Sequence, residues 1–232
     1  MWSVFLFCFV LKTIYHQTLG GFTNGAPCTI RNTALLDTRD SWLLPKDDLQ
    51  CVDITSLGRR KNIPQNFEII KATTLYADHM HLRRIPDSIS TLMPKLKLID
   101  FSSNNLRRIS KDSFSSLIDL HTLLLEDNHV FIPKKTPLLN SRSLKALSLS
   151  NNKIRRLKPK TFKELKGLTV LYLDRNWLIR LHPKVFKPLK YLKYLHLGNN
   201  RLKVLPHIVL EVPKAIVIVK GNPFNGTEVI KR

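Results

Sequence analysis

The sequence predicts an α/β repeat solenoid: a horseshoe with a concave parallel β-sheet and an irregular convex side. Three observations lead there. The stretch from Leu144 to Leu205 divides into LKALSLSNNKIRRL, LTVLYLDRNWLIRL and LKYLHLGNNRLKVL, each following Leu-x-x-Leu-x-Leu-x-x-Asn-x-(Leu/Ile)-x-x-Leu. The anchor leucines Leu149, Leu173 and Leu197 recur every 24 residues without a slip. Apolar residues alternate at the second and third anchors, which is the period of a strand, so each unit contributes one short strand to a parallel sheet. No such unit can close a core alone, and stacking neighbours buries a continuous one.

The register extends in both directions. The third anchor of each unit is Ala77, Phe101, Leu125, Leu149, Leu173 and Leu197, giving six repeats across residues 72–214. Asparagine follows three residues later at Asn104, Asn128, Asn152, Asn176 and Asn200, with Met80 in that slot of the first repeat. Beyond the strand the backbone bends away from any ladder, and a buried carboxamide satisfies the amide groups left over. Phe114, Phe162 and Phe186 recur 13 residues after their anchors and are expected to pack the convex side, with Leu138 and Leu210 in the same slot. A shorter unit, AIVIVKGNPF, puts Asn222 in the asparagine slot, so residues 215–232 are expected to hold a terminal strand and an incomplete carboxy-terminal cap.

The pattern resembles the extracellular leucine-rich repeat proteins, the typical 24-residue class seen in Toll-type receptor ectodomains and small secreted matrix proteins. The likeness covers about residues 52–224. It implies a leucine-rich repeat horseshoe that binds rather than catalyses, in matrix, cell-surface or immune-type recognition. Function on this scaffold is set by the residues of its faces. Residues 21–71, from Cys28 through CVDITS to NIPQNF, resemble the cysteine-bearing amino-terminal cap of that family, with two cysteines where four are common. Asn222-Pro223-Phe224 resembles the opening of the carboxy-terminal cap. The two cysteines that normally follow are absent, with Gly226 and Glu228 at their positions.

Composition places the protein in a compartment. Residues 1–20, with the apolar run MWSVFLFCFVL before KTIYHQTLGG, are expected to be a secretory signal peptide. The run is shorter than the roughly 20 residues that span a bilayer. An uncleaved membrane anchor is the alternative reading. No second apolar stretch follows, so a secreted extracellular protein without a transmembrane anchor is expected. Removing the signal leaves Cys28 and Cys51, an even count in an oxidising compartment, and they are expected to pair. Such a loop closure stabilises by about 3 kcal/mol in the chain-entropy account. Asn225-Gly226-Thr227 is a glycosylation sequon at Asn225.

Sorting the exposed slots separates two candidate surfaces. Tyr76, Asp100, Leu124, Tyr172, Asp174, Tyr194 and His196 fall on the concave face, which is neutral to acidic and rich in amphipathic rings favoured in protein interfaces. Leu98 is expected to add apolar exposure at its centre. An extracellular protein ligand is the partner this face fits. The basic residues gather elsewhere: 38 Lys and Arg stand against 17 Asp and Glu, and Arg83, Arg84, Arg107, Arg108, Arg155, Arg156, Arg180 and Lys203 fall in one flank strip, interrupted by Phe131-Ile132. Stacked arginines grip sulfates or phosphates bidentately, so sulfated glycans or anionic surfaces are the alternative partners. Solvated charge that only maintains solubility is the plain reading of the same strip. Nucleic acid is not expected, because no stacking platform or recognition helix accompanies the charge. No nucleophile, base and orienting group converge, and His79-x-His81 lacks a third metal ligand, so no enzyme, cofactor or metal is expected. The carboxy-terminal end, without its cap cysteines, leaves room for a glycan, a covering partner or a dimer.

Overall fold

The computed structural model describes residues 50–55, 71–204 and 215–224, together with the backbone of two short strands at 33–36 and 42–43. The described strands form a single sheet. In chain order they are β1 (Thr33–Leu36), β2 (Trp42–Leu43), β3 (Cys51–Asp53), β4 (Thr74–Tyr76), β5 (Leu98–Asp100), β6 (Thr122–Leu124), β7 (Ala146–Ser148), β8 (Val170–Tyr172), β9 (Tyr194–His196) and β10 (Ile216–Ile218). Their spatial order is β10-β9-β8-β7-β6-β5-β4-β3-β1-β2. Every neighbouring pair is parallel except β1 with β2. Parallel neighbours need a crossover, and each pass over the convex side supplies one. The only helix among the described residues is a single turn, Ile89–Leu92. The leucine-rich repeat horseshoe is therefore the fold, with its sheet on one side and almost no helix on the other.

Strand register follows the sequence register. Tyr76 pairs with Asp100, Asp100 with Leu124, Leu124 with Ser148, Ser148 with Tyr172 and Tyr172 with His196. The second anchors Leu75, Ile99, Leu123, Leu147, Leu171 and Leu195 are fully buried, and the third anchors beside them are equally closed. On the convex side Phe114, Phe162 and Phe186 are buried, and Leu138 joins them. The Phe162 and Phe186 rings stack with centroids 6.1 Å apart, and Phe101 meets Phe114 at 6.5 Å. Leu210 lies outside the described residues.

The asparagines do what their spacing predicts. In each of Asn104, Asn128, Asn176 and Asn200, Nδ2 donates to a carbonyl of the preceding repeat and to carbonyls of its own strand exit. The Oδ1 of each accepts a backbone amide from the preceding repeat. Asn152 keeps the inter-repeat bonds, donating to Leu125 at 2.8 Å and accepting from Val130 at 2.9 Å. Asn222 closes the series, accepting from Leu202 and donating to Leu197 and Val219. Met80, buried in the same slot, contributes packing instead.

The residue just before each slot of the ladder, Met80 included, has left-handed backbone: His79, Ser103, Asp127, Asn151, Arg175 and Asn199 have φ between 50° and 61°, and Gly221 has φ 82°. Asn, Asp and His tolerate this region better than most residues. Ser103 and Arg175 do not belong to that group, and Arg175 makes the contacts described below.

The sheet also extends past the first repeat. β3 pairs with β4 in register, Asp53 opposite Tyr76, with Val52 and Ile54 buried as a further anchor pair. Sequence periodicity shows no strand in this segment, because the step from Val52 to Leu75 is 23 residues, one short of the repeat. Cys51 is buried and disulfide-bonded. Its expected partner Cys28 lies outside the described residues, as do the segment 1–20 and the sequon at Asn225.

Candidate binding surfaces

The concave face is assembled by the strand register. Tyr76, Leu124, Tyr172, Tyr194 and His196 are partly exposed on it. Three aromatic rings meet at one end. Tyr172 and Tyr194 lie with centroids 5.3 Å apart, Tyr172 and His196 are 6.1 Å apart, and Tyr194 and His196 stack nearly parallel at 6.3 Å. Ala146 and Val170 are buried beneath a small apolar cluster that includes Leu124, Tyr172 and Tyr194. This patch is separate from the main core, so the concave sheet carries its own hydrophobic surface.

Three expected features of this face differ in the structure. Leu98 is only 7% exposed and adds no apolar surface, and Asp100 and Asp174 are 6% and 7% exposed. Asp100 stands in register between the longer Tyr76 and Leu124, and Asp174 is enclosed by Ser150, Arg175 and His196. What remains accessible is the set of long and aromatic side chains.

Asp174 is the electrostatic centre. The Ser150 hydroxyl donates to Asp174 Oδ1 at 2.5 Å, and Ser148 donates to Ser150 at 3.3 Å. His196 Nδ1, itself buried, stands 3.1 Å from the same oxygen, a close polar contact. Arg175 donates through Nε to Asp174 Oδ2 at 3.1 Å and through a terminal nitrogen to Glu126, two repeats away. Burial pushes the Asp174 carboxyl up, but His196, Ser150 and Arg175 together outweigh it and hold it below the ordinary aspartate value. For Arg175 the balance is similar: burial opposes the charge, and Glu126 and Asp174 more than restore it. Burial, followed by the charges of Tyr194, Asp174 and Glu126, pushes the Tyr172 phenol up to about 12. Tyr194 is raised by burial and by Asp174. At the other end of the sheet Tyr76 is raised by burial and by Asp100, Asp53 and Asp78. The two ends thus share one design, a phenol held neutral above fixed carboxylates.

Arg175, Glu126 and Ser150 occupy slots visible in the sequence, yet reasoning slot by slot does not join them. The 49-residue separation of Arg175 from Glu126 becomes a contact only when two turns of the solenoid are stacked.

Arg83, Arg84, Arg107, Arg108, Arg155, Arg156, Arg180 and Lys203 are exposed. A parallel backbone bridge joins Arg156 to Arg180, which sets these two neighbours side by side. Phe131 interrupts the strip as an exposed ring, while Ile132 turns into the core. One contact on this flank escapes the charge pattern: the Trp177 ring carries the Arg155 guanidinium at 5.4 Å and the Arg201 guanidinium at 4.7 Å. His79 and His81 flank buried Met80 and are exposed, with His79 Nδ1 2.9 Å from Asp78. No group of three or more metal-ligating side chains occurs among the described residues. No helix among them is long and apolar enough to cross a membrane.

Comparison with known proteins agrees with this architecture. Epiphycan of Bos taurus is 36% identical over 83 residues, which are 35% of this chain and 24% of that protein. The solved structure of the Drosophila Toll–Spatzle complex, a hub in development and innate immunity, is similar at a TM-score of 0.57 and 19% identity. The match covers 76% of this chain and 27% of that one. The chain therefore spans about a quarter of either relative. Residues 71–130 and 141–207, more than half of the chain, match the Leucine rich repeat family. The chain belongs to the leucine-rich repeat family.

Proposed function

We propose that the protein is a secreted, non-enzymatic binding module that engages a protein ligand through its concave sheet. The observation that carries this reading is the ring cluster of Tyr172, Tyr194 and His196 over the buried Asp174 network. It is an aromatic surface fixed from below, and preorganised aromatic anchors are where binding energy concentrates in protein interfaces. Tyr76 and Leu124 extend the same face toward the amino-terminal end. Asp100 and Asp174 serve as fixed charges beneath the contact surface. The relative solved with a protein partner, Toll with Spatzle, supports the same kind of use. The amino-terminal signal and the Cys28–Cys51 pairing belong to this extracellular reading. Alanine at Tyr172 and Tyr194 tests it: partner capture is lost while the fold persists.

A second reading rests on the eight exposed flank cations, which form a polyanion-binding strip for sulfated glycans or another anionic surface. A dimer through the carboxy-terminal end is also part of the proposal, resting on the place of β10 as the last strand in the described sheet, beside β9. Size-exclusion chromatography with light scattering tests it directly, and a monomer at high concentration contradicts it.

A further inference from the structure

The flank reading leaves open whether its charge is diffuse or focused. The segments 153–156, 177–180 and 201–204 occupy the same slots in three consecutive repeats and contain six Lys and Arg and no Asp or Glu. All six cations, Lys153, Arg155, Arg156, Arg180, Arg201 and Lys203, are exposed. None of them takes part in an ion pair among the described residues. Trp177 stands in the middle repeat of the three, with Arg155 from the repeat before it and Arg201 from the repeat after it over its ring.

From this arrangement we infer a built anion subsite centred on Trp177, which takes the sulfate groups of a linear sulfated polysaccharide. An arginine normally loses rotamer freedom when it grips an anion, and that loss weakens binding. Stacking on the indole removes much of that freedom in advance, leaving the guanidinium edges free to donate. The two guanidinium groups are thus preorganised, and Arg156, Arg180 and Lys203 continue the positive surface beside them. A chain laid along the solenoid axis meets a new row of cations at each step of roughly 4.8 Å. Repetition of charge along a line suits a polymer with regularly spaced sulfates. Single-stranded nucleic acid fits less well, because it binds by stacking bases on aromatic faces, and guanidinium groups already lie over the Trp177 ring. The inference rests on the flank reading and narrows it to one place.

Binding of a size-defined heparin oligosaccharide to the full chain, measured by calorimetry at fixed ionic strength, tests the subsite. Trp177→Ala leaves the net charge unchanged, so nonspecific attraction predicts no effect, whereas the subsite predicts a loss of about tenfold. Arg155→Gln with Arg201→Gln is then compared with Arg83→Gln with Arg84→Gln. Each pair removes two exposed charges, and neither pair fills the core. The subsite predicts at least about fivefold more loss from the first pair. Equal losses from both pairs overturn the subsite and leave a diffuse basic flank. No loss from either pair overturns the flank reading itself. Tighter binding to phosphatidylserine vesicles or to a single-stranded oligonucleotide at the same ionic strength overturns the assignment to sulfated polysaccharide.

Discussion

Tyr172 and Tyr194 lie on adjacent strands in different slots, yet their rings meet with centroids 5.3 Å apart and planes inclined by 50°. The contact is diagonal across the concave sheet, from the last residue of β8 to the first of β9. It joins the apolar patch over Ala146 and Val170 to the Asp174 network. An aromatic pair of this geometry contributes about 0.5–1.5 kcal/mol beyond its buried area. Replacing both tyrosines with alanine is therefore expected to lower stability only modestly, by about 1–3 kcal/mol for two partly exposed rings. Chemical denaturation checks this. A loss of the whole cooperative transition would show that the rings belong to the scaffold.

The asparagine ladder is expected to be far less tolerant. Asn176 Oδ1 accepts from Ile154 and Asn152, and Nδ2 donates to Leu149 at 2.8 Å. Asn176→Leu leaves these buried groups unsatisfied, at about 1–3 kcal/mol each, so a total loss above about 3 kcal/mol is expected. Lys163→Ala, at an exposed site, is expected to stay within about 0.5 kcal/mol. Urea titration of both variants makes the comparison. Similar midpoints would refute the structural role of the ladder.

Gly221 has φ 82°, and a Cβ there would stand 2.1 Å from Asn199 Oδ1. It continues the left-handed slot of His79 to Asn199 into the terminal unit. Gly221→Ala is expected to cost more than about 1 kcal/mol and to weaken the pairing of β10 with β9. Faster amide exchange at Ile216–Ile218, measured by hydrogen–deuterium exchange, is the expected signature. Unchanged exchange contradicts it.

The shifted groups fix the sign of the pH response. Tyr172 keeps its proton in the folded state up to about 12, whereas an unfolded tyrosine releases it near pH 10. The unfolded state therefore binds fewer protons between those values, and stability falls as pH rises through that window. Tyr172→Phe removes the contribution of this residue. Asp174 is held below its ordinary value, so its stabilisation is present above about pH 4 and is lost on acidification below it. Asp174→Asn is expected to flatten the acid limb. Thermal melts across pH measure both, and an unchanged acid limb in Asp174→Asn contradicts the role of the network.

Much of this was legible because the sequence repeats. A 24-residue step with one asparagine per turn determines strand register, core and flank together, and Asn104 to Asn222, Phe162 over Phe186, and Arg156 bridging Arg180 all follow from it. The strand at Cys51–Asp53 was hidden by a step one residue short. Burial of Leu98, Asp100 and Asp174 depends on neighbours in adjacent turns, which slot-by-slot reading does not contain. The same holds for Arg175 reaching Glu126 and for Trp177 between Arg155 and Arg201. These are contacts between turns, and they exist only after the turns are stacked. The candidate sites were therefore readable as faces, while their internal wiring was not.

The central claim is that the concave aromatic face binds a protein. Affinity capture from native extracellular fluid, run in parallel with wild-type protein, Tyr172→Ala with Tyr194→Ala, and Arg83→Gln with Arg84→Gln, tests it most directly. A protein retained by wild type and by the arginine variant, and lost from the folded tyrosine variant, is the predicted result. Retention of the same protein by the folded tyrosine variant would contradict it.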